Sequence, residues 1–182
     1  MTGVVRPAGP RDVARLEDIE NDADALLVGF LRPDNWGSAP TGESRVESPG
    51  FVIVVSEITD GDAVGFVHVL EAVGYAHLEQ LSVLPEHTRR GLGRTLVGAA
   101  KTEAARRGHE RVTLRTYADV PWNAPFYATC GFVETSPVSD FHREMAVEEK
   151  RLGLDKFGRR IQMTAQLQRQ TGASGYTPEV AR

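Results

Sequence analysis

Apolar positions recur along the chain with two periods, near 3.6 and near 2, and each period predicts a kind of element. Val4 and Val5 read as a short strand stopped by Arg6-Pro7. From Asp12 onward, Val13, Leu16 and Ile19 fall at helical spacing, and Asn21 to Leu31 reads as a second helix. Residues 32–50 are rich in Pro, Gly and Ser and predict a long loop, a length that in a compact domain is usually functional or mobile. Three strands follow, at Phe51 to Ser56, Ala63 to Leu70 and Ala76 to Leu84. They are separated by Asp60-Gly61 and Gly74, with Gly65 as the weak point of the second, and predict an antiparallel meander.

The period then lengthens again. Gly91 to Arg107 predicts a helix with Leu92, Leu96, Ala99, Ala100 and Ala104 on one face, Arg106 and Arg107 in its last turn and Gly108 just beyond. Val112 to Thr116 is the next strand, so this stretch is a β-α-β unit with a parallel pair. A short helix over Pro121 to Cys130, a strand at Gly131 to Glu134, a helix over Arg143 to Leu152 and a strand at Arg160 to Leu167 complete the pattern. Residues 1–170 read as one domain and 171–182 as a flexible tail.

Composition narrows the class. Twenty-one Lys and Arg against 25 Asp and Glu leave a formal net charge of −4, which argues against nucleic acid or an anionic membrane as a general partner. The one cysteine, Cys130, cannot form an internal disulfide, and no apolar run is long enough to span a bilayer. With no secretory signal evident at Met1 to Pro7, the expectation is a soluble cytoplasmic domain. The five histidines, at 68, 77, 87, 109 and 142, have no ligand spacing, so no metal is expected.

Against that acidic background, Thr88-Arg-Arg-Gly-Leu-Gly-Arg-Thr95 sits between a strand and a helix. The first amides of a helix are unpaired within it and carry partial positive charge. Gly91 and Gly93 let an anion approach the main chain, and Arg89, Arg90 and Arg94 add cations, which suits a pyrophosphate. The alternative is a tight turn with solvated arginines. A Walker loop is excluded because Thr88 stands where its first Gly is needed, and the dinucleotide fingerprint fails at Leu96.

Leu81 to Leu96 resembles the acetyl-CoA signature of the GNAT superfamily of N-acetyltransferases, Q/R-x-x-G-x-G/A, with Thr88 where Gln or Arg is usual. Pro121-Trp-Asn-Ala-Pro-Phe-Tyr-Ala-Thr-Cys-Gly-Phe132 resembles the family's later Asn, Tyr, Gly-Phe block, in a P-W-N-x-P-F-Y form similar to a bacterial subgroup. The resemblance implies an α+β (mixed α/β) acyl-CoA N-acyltransferase fold: a mixed central sheet containing an antiparallel meander, flanked by helices. It implies acetyl-CoA as cosubstrate, with no metal. The pyrophosphate would lie on Thr88, Arg89, Arg90, Gly91, Leu92, Gly93, Arg94 and Thr95, and pantetheine along Leu81, Ser82 and Val83, where a strand amide such as that of Val83 would hold the oxyanion. Asn123 would hydrogen-bond pantetheine or nearby main chain; its other reading is a helix N-cap.

Aminolysis of a thioester needs a base for the ammonium, a donor for the oxyanion and an acid for the thiolate. His77 and Glu79 are two apart on a predicted strand and so share a face. The family places its base at positions corresponding to either, and Glu79 is favoured, with His77 as partner or substitute. His68, on the preceding strand, reaches Glu79 only if the register allows. The family's general acid corresponds to Tyr127, whose other reading is packing beside Phe126 and Phe132. Cys130 reads as core, and Trp36 and Trp122 as packing or cleft walls. The acceptor is expected to be a small-molecule or peptide amine approaching past the loop after Leu31, and an exposed final strand could support a homodimer. The alternative function is a non-catalytic acyl-CoA-binding or regulatory module, which would need neither a base nor Tyr127.

Overall fold

In the computed structural model, which describes residues 3–72 and 74–168, the strands are Val4–Pro7 (β1), Gly50–Ser56 (β2), Gly65–Ala72 (β3), Tyr75–Val83 (β4), Arg111–Tyr117 (β5), Val133–Thr135 (β6) and Arg160–Gln166 (β7). They form one sheet in the order β1-β2-β3-β4-β5-β7-β6, parallel only between β4 and β5. The helices are Pro10–Leu31 (α1), Gly42–Glu47 (α2), Leu92–Arg106 (α3), Ala124–Thr129 (α4) and Asp140–Arg151 (α5). This is the mixed α+β sheet flanked by helices that the family resemblance implied, with the antiparallel meander and the parallel pair that the pattern predicted. The tail predicted over 171–182 lies outside the described residues. No helix among them is long and apolar enough to cross a membrane.

The two faces of the sheet explain why β2 is apolar throughout. Ile53 and Val55 pack toward Leu92, Leu96, Val97, Ala100 and Ala104 of α3, while Val52 and Val54 pack toward Leu16 and Ile19 of α1. A strand covered by helices on both sides has no polar face to show. Burial of each such side chain contributes about 1.5–3 kcal/mol. Gly108 follows α3 with φ +92, as its place beyond the arginines predicted.

Several expectations are corrected. Residues 10–31 form one helix, not two, because no breaker interrupts it. The segment 32–50 is not all loop: Thr41 caps α2 through its hydroxyl, which accepts from the Ser44 amide. The final strand is not an exposed edge, since β7 lies between β5 and β6, so the basis for pairing two copies through it is gone.

The feature that positions the site is a splay. β4 and β5 pair only over Ala76–Leu78 and Val112–Leu114, then diverge. A bulge on the other side of β4 aligns His68 with Gln80 and Val69 with Leu78, leaving Glu79 without a partner on β3. The bulge also resets the alternation, so that Leu78, Leu81 and Val83 all pack on the α3 side.

Candidate active site

The splay opens a cleft of about 1090 Å³ between β4 and β5, walled by α1, residues 36–40, the β4–α3 turn, α4 and α5. Glu79, His77 and Tyr127 all line it. The His77 Nε2 stands 3.8 Å from Glu79 Oε2, so the shared face predicted from spacing is present. Glu79 is 41% exposed at its side chain, yet protein crowds it on most sides. Burial raises its carboxyl above the ordinary range, and the nearby Arg45 guanidinium partly offsets that.

His77 is almost wholly buried, and burial, assisted by the proximity of His142, Arg115 and Arg160, lowers it to about 3. At neutral pH its ring is uncharged, so its approach to Glu79 is not an ion pair. Tyr127 packs between Phe126 and Phe132 at centroid distances of 5.2 and 5.8 Å. Burial raises its phenol further above its ordinary value, so it keeps its proton.

At the other end of the cleft, Pro85–His87 forms a single 3-10 turn, and Arg89 and Gly91 then take left-handed φ values of 59° and 84°. The chain curls there and presents the first amides of α3 to the cleft. A Cβ added at Gly91 meets nothing within 4 Å, so the surface beside it is open, whereas one at Gly93 would touch the Phe126 ring at 3.5 Å. On β4, Leu84 donates to Val64 at 2.9 Å, and strand alternation therefore turns the Leu81 and Val83 amides away from β3, into the splay. These open amides and this open turn fit an extended, phosphate-bearing ligand.

A model of the acetyltransferase (GNAT) family matches residues 16–132. The chain belongs to this family. It is an acetyltransferase, with the GNAT fold. Among solved structures it is similar to the ribosomal-protein-S18-alanine N-acetyltransferase from Escherichia coli, at 19% identity and TM-score 0.64, covering 96% of this chain and 99% of that one. It also resembles the PaiA N-acetyltransferase from Thermoplasma acidophilum in complex with coenzyme A, at 15% identity and TM-score 0.64, covering 91% and 99%. N-acetylglutamate synthase from Neisseria gonorrhoeae, complexed with coenzyme A and N-acetyl-glutamate, matches at 14% and TM-score 0.69, over 93% of this chain and 36% of that one.

Within this GNAT cleft the predicted ligand-binding residues divide. Leu81, Val83, Thr88, Arg89, Gly91, Leu92, Gly93, Arg94 and Asn123 line it; Ser82, Arg90 and Thr95 do not. Ser82 lies on the opposite face, its hydroxyl accepting from Gln80, and the Thr95 hydroxyl donates to the Gly91 carbonyl at 3.2 Å. The three arginines do not act as one cationic patch. Arg90 pairs with Glu57 outside the cleft, and Arg94 is tied to the Thr129 carbonyl and hydroxyl at 2.8 and 2.9 Å. Arg89 alone of the three has no side-chain partner among the described residues. Asn123 occupies the N-cap position of α4 but makes no side-chain cap bond, leaving its amide to the cleft.

Cys130 is half-buried against the core and off the cleft wall. Both Trp36 and Trp122 are cleft walls; Trp36 Nε1 donates to Asp24 Oδ2 at 3.0 Å, and the Ala39 amide to Asn21 Oδ1 at 3.0 Å, pinning the segment after α1. His68 does not bond Glu79: its Nδ1 lies 3.2 Å from Arg45 Nη1.

Sequence reasoning missed Arg45 and Glu20. They form a buried pair beneath the α1 wall of the cleft, with the Arg45 guanidinium 5.3 Å from the Phe66 ring centroid. Burial raises Glu20 to about 7 in spite of Arg45. Glu20 interrupts the apolar stripe of Leu16 and Ile19, a visible signal; Arg45 gave none, lying in a segment read as loop.

A side chain at Gly91 is expected to cost about 1–2 kcal/mol, because φ near +84° is strained for any residue with a Cβ. Chemical denaturation of Gly91→Ala, read at its midpoint with unchanged slope, measures this.

Proposed function

We propose that the protein transfers an acetyl group from acetyl-CoA to a primary amine of a small molecule or peptide by direct attack. The observation that carries this reading is the meeting, in one cleft, of a carboxylate, a protonated phenol and a helix-start turn with open amides. In this reading the amides of Arg89 to Arg94 hold the pyrophosphate, and Leu81 and Val83 pair with pantetheine in the place β5 vacates. The amine enters past residues 36–40 and α5.

Glu79 removes the ammonium proton. The freed lone pair attacks the thioester carbonyl, and the Val83 amide donates to the oxyanion that forms. Collapse breaks the C–S bond, and Tyr127 protonates the departing thiolate, later recovering its proton from solvent. The off-cleft position of Cys130 supports transfer without an acyl-enzyme.

Thiol release from acetyl-CoA across a panel of amines, with mass spectrometry of the product, tests the reading; acetyl appearing on an oxygen or on the enzyme would refute it. Tyr127→Phe is expected to lower kcat toward the low end of the ~10²–10⁴-fold range for a general acid, with acetyl-CoA binding kept. Full activity of that variant across pH would remove Tyr127 from the chemistry.

A further inference from the structure

Behind Glu79 lies a buried polar chain that the proposed chemistry does not use. The Thr113 hydroxyl stands 2.8 Å from His77 Nδ1 and 3.0 Å from His142 Nε2, and His142 Nδ1 is 2.7 Å from the Ser139 hydroxyl. His77, Thr113 and His142 are each about 1% exposed. They come from three elements, β4, β5 and α5, and the parallel register sets His77 directly opposite Thr113.

We propose that Thr113, His142 and Ser139 are positioning residues that hold the His77 proton on Nε2, aimed at Glu79, so that His77 is a donor to that carboxylate and not a base. The functional consequence rests on Glu79 as the proposed base; the proton position rests only on Glu79 being ionised at the pH of the measurement.

The Thr113 hydroxyl has one proton and three acceptors in reach, the two rings and the Ala76 carbonyl at 3.4 Å; the carbonyl is the most distant, so the proton goes to one ring and the rings are locked together. In one arrangement His142 Nε2–H donates to Thr113, Thr113 donates to His77 Nδ1, and Nε2–H of His77 faces Glu79. Ser139 then donates to His142 Nδ1 while its oxygen accepts the His142 amide at 3.2 Å. Every donor has an acceptor. The opposite arrangement points the bare Nε2 of His77 at an ionised carboxylate, two acceptors with no proton between them. The 3.8 Å gap to Glu79 closes with one side-chain rotation or one bridging water.

The remaining groups around the rings keep both neutral. Arg115 of β5 and Arg160 of β7, each paired with Glu149 of α5, lie near His77; Arg111 and Arg115 of β5 lie near His142. The rings of Tyr75 and Phe141 pack against His142 and His77 at 4.8 and 5.8 Å.

The test is a long-range ¹⁵N–¹H spectrum of the imidazoles in labelled full-length protein at pH 7 without substrate, assigned by signal loss in His77→Gln and His142→Gln. Both rings are expected to show a bare Nδ1 and a protonated Nε2. A protonated Nδ1 on His77 overturns the proposal. Thr113→Val is expected to convert His77 to a mixture of the two forms and Thr113→Ser to restore the single form; an unchanged His77 spectrum in Thr113→Val also overturns it. Should Thr113→Val not fold, the wild-type spectrum and the Thr113→Ser spectrum still decide the proposal, since each is expected to show the His77 proton on Nε2 alone and a proton on Nδ1 in either overturns it. None of these spectra depends on acetyl transfer, so a failed amine assay and a failed proton assignment remain distinct results.

Discussion

Glu79→Gln is expected to lower kcat by about 10²–10⁴-fold while acetyl-CoA affinity stays at the wild-type value. The side chain sits at the bulge in β4, and not at the turn where the amides of α3 open. Gln keeps the shape and the ability to accept a hydrogen bond, but cannot take up the ammonium proton. In the wild-type enzyme, kcat/KM should rise with pH as Glu79 loses its proton, and the rise should lie above the ordinary carboxylate range because burial raises this group. The variant should lose that part of the profile and keep whatever part belongs to the acceptor amine. Stopped-time thiol release over a pH series, beside calorimetric titration with acetyl-CoA, separates the two quantities. Equal losses of turnover and acetyl-CoA affinity would count against the base role.

Arg45→Met is expected to cost about 3–5 kcal/mol, because it strands a buried carboxylate that had one cation beside it. The loss should depend on pH in a defined direction. Glu20 is raised to about 7 even with Arg45 present, and without it the group rises further. A folded-state pKa above the unfolded value means that stability falls as pH rises between the two. The variant should therefore be closest to wild type near pH 5 and furthest from it near pH 8, as read by urea midpoints. Lys is a poor substitute, since Arg45 reaches both Glu20 and His68 through separate nitrogens of one planar group. The same guanidinium lowers Glu79, so its loss should also move the acid limb of kcat/KM upward. These two readouts place Arg45 in stability and in the electrostatics of the cleft at once.

The strand and helix pattern was legible where one face of an element is apolar and a breaker stands at its end. The stripe of α3, closed by Arg106, Arg107 and Gly108, is such a case, and the meander with its turn residues is another. The spacing of His77 and Glu79 placed them on a common face correctly, because the extra residue of the bulge is Glu79 itself and the alternation shifts only beyond it. The bulge itself was not legible: it arises from the register of β3 against β4, which no local pattern records. The same holds for β7, whose alternation marks a strand but not its place inside the sheet. The arginines beside Gly91 were readable as charges, but their partners, Glu57 and Thr129, lie more than thirty residues away in sequence. Thr113 and His142 were unreadable for that reason too, since only the parallel pairing of β4 with β5 and the docking of α5 bring them to His77.

The account turns on acetyl-CoA occupying the cleft between the splayed strands, and thermal unfolding with and without acetyl-CoA tests that most directly. A ligand that binds only the native state at 100 times its Kd stabilises it by about 2.7 kcal/mol. For a chain of this size that corresponds to a rise of roughly 5–10 °C in Tm. Such a rise, saturating with acetyl-CoA, is the predicted result. An unchanged Tm at millimolar acetyl-CoA and at millimolar longer acyl-CoAs would contradict the account.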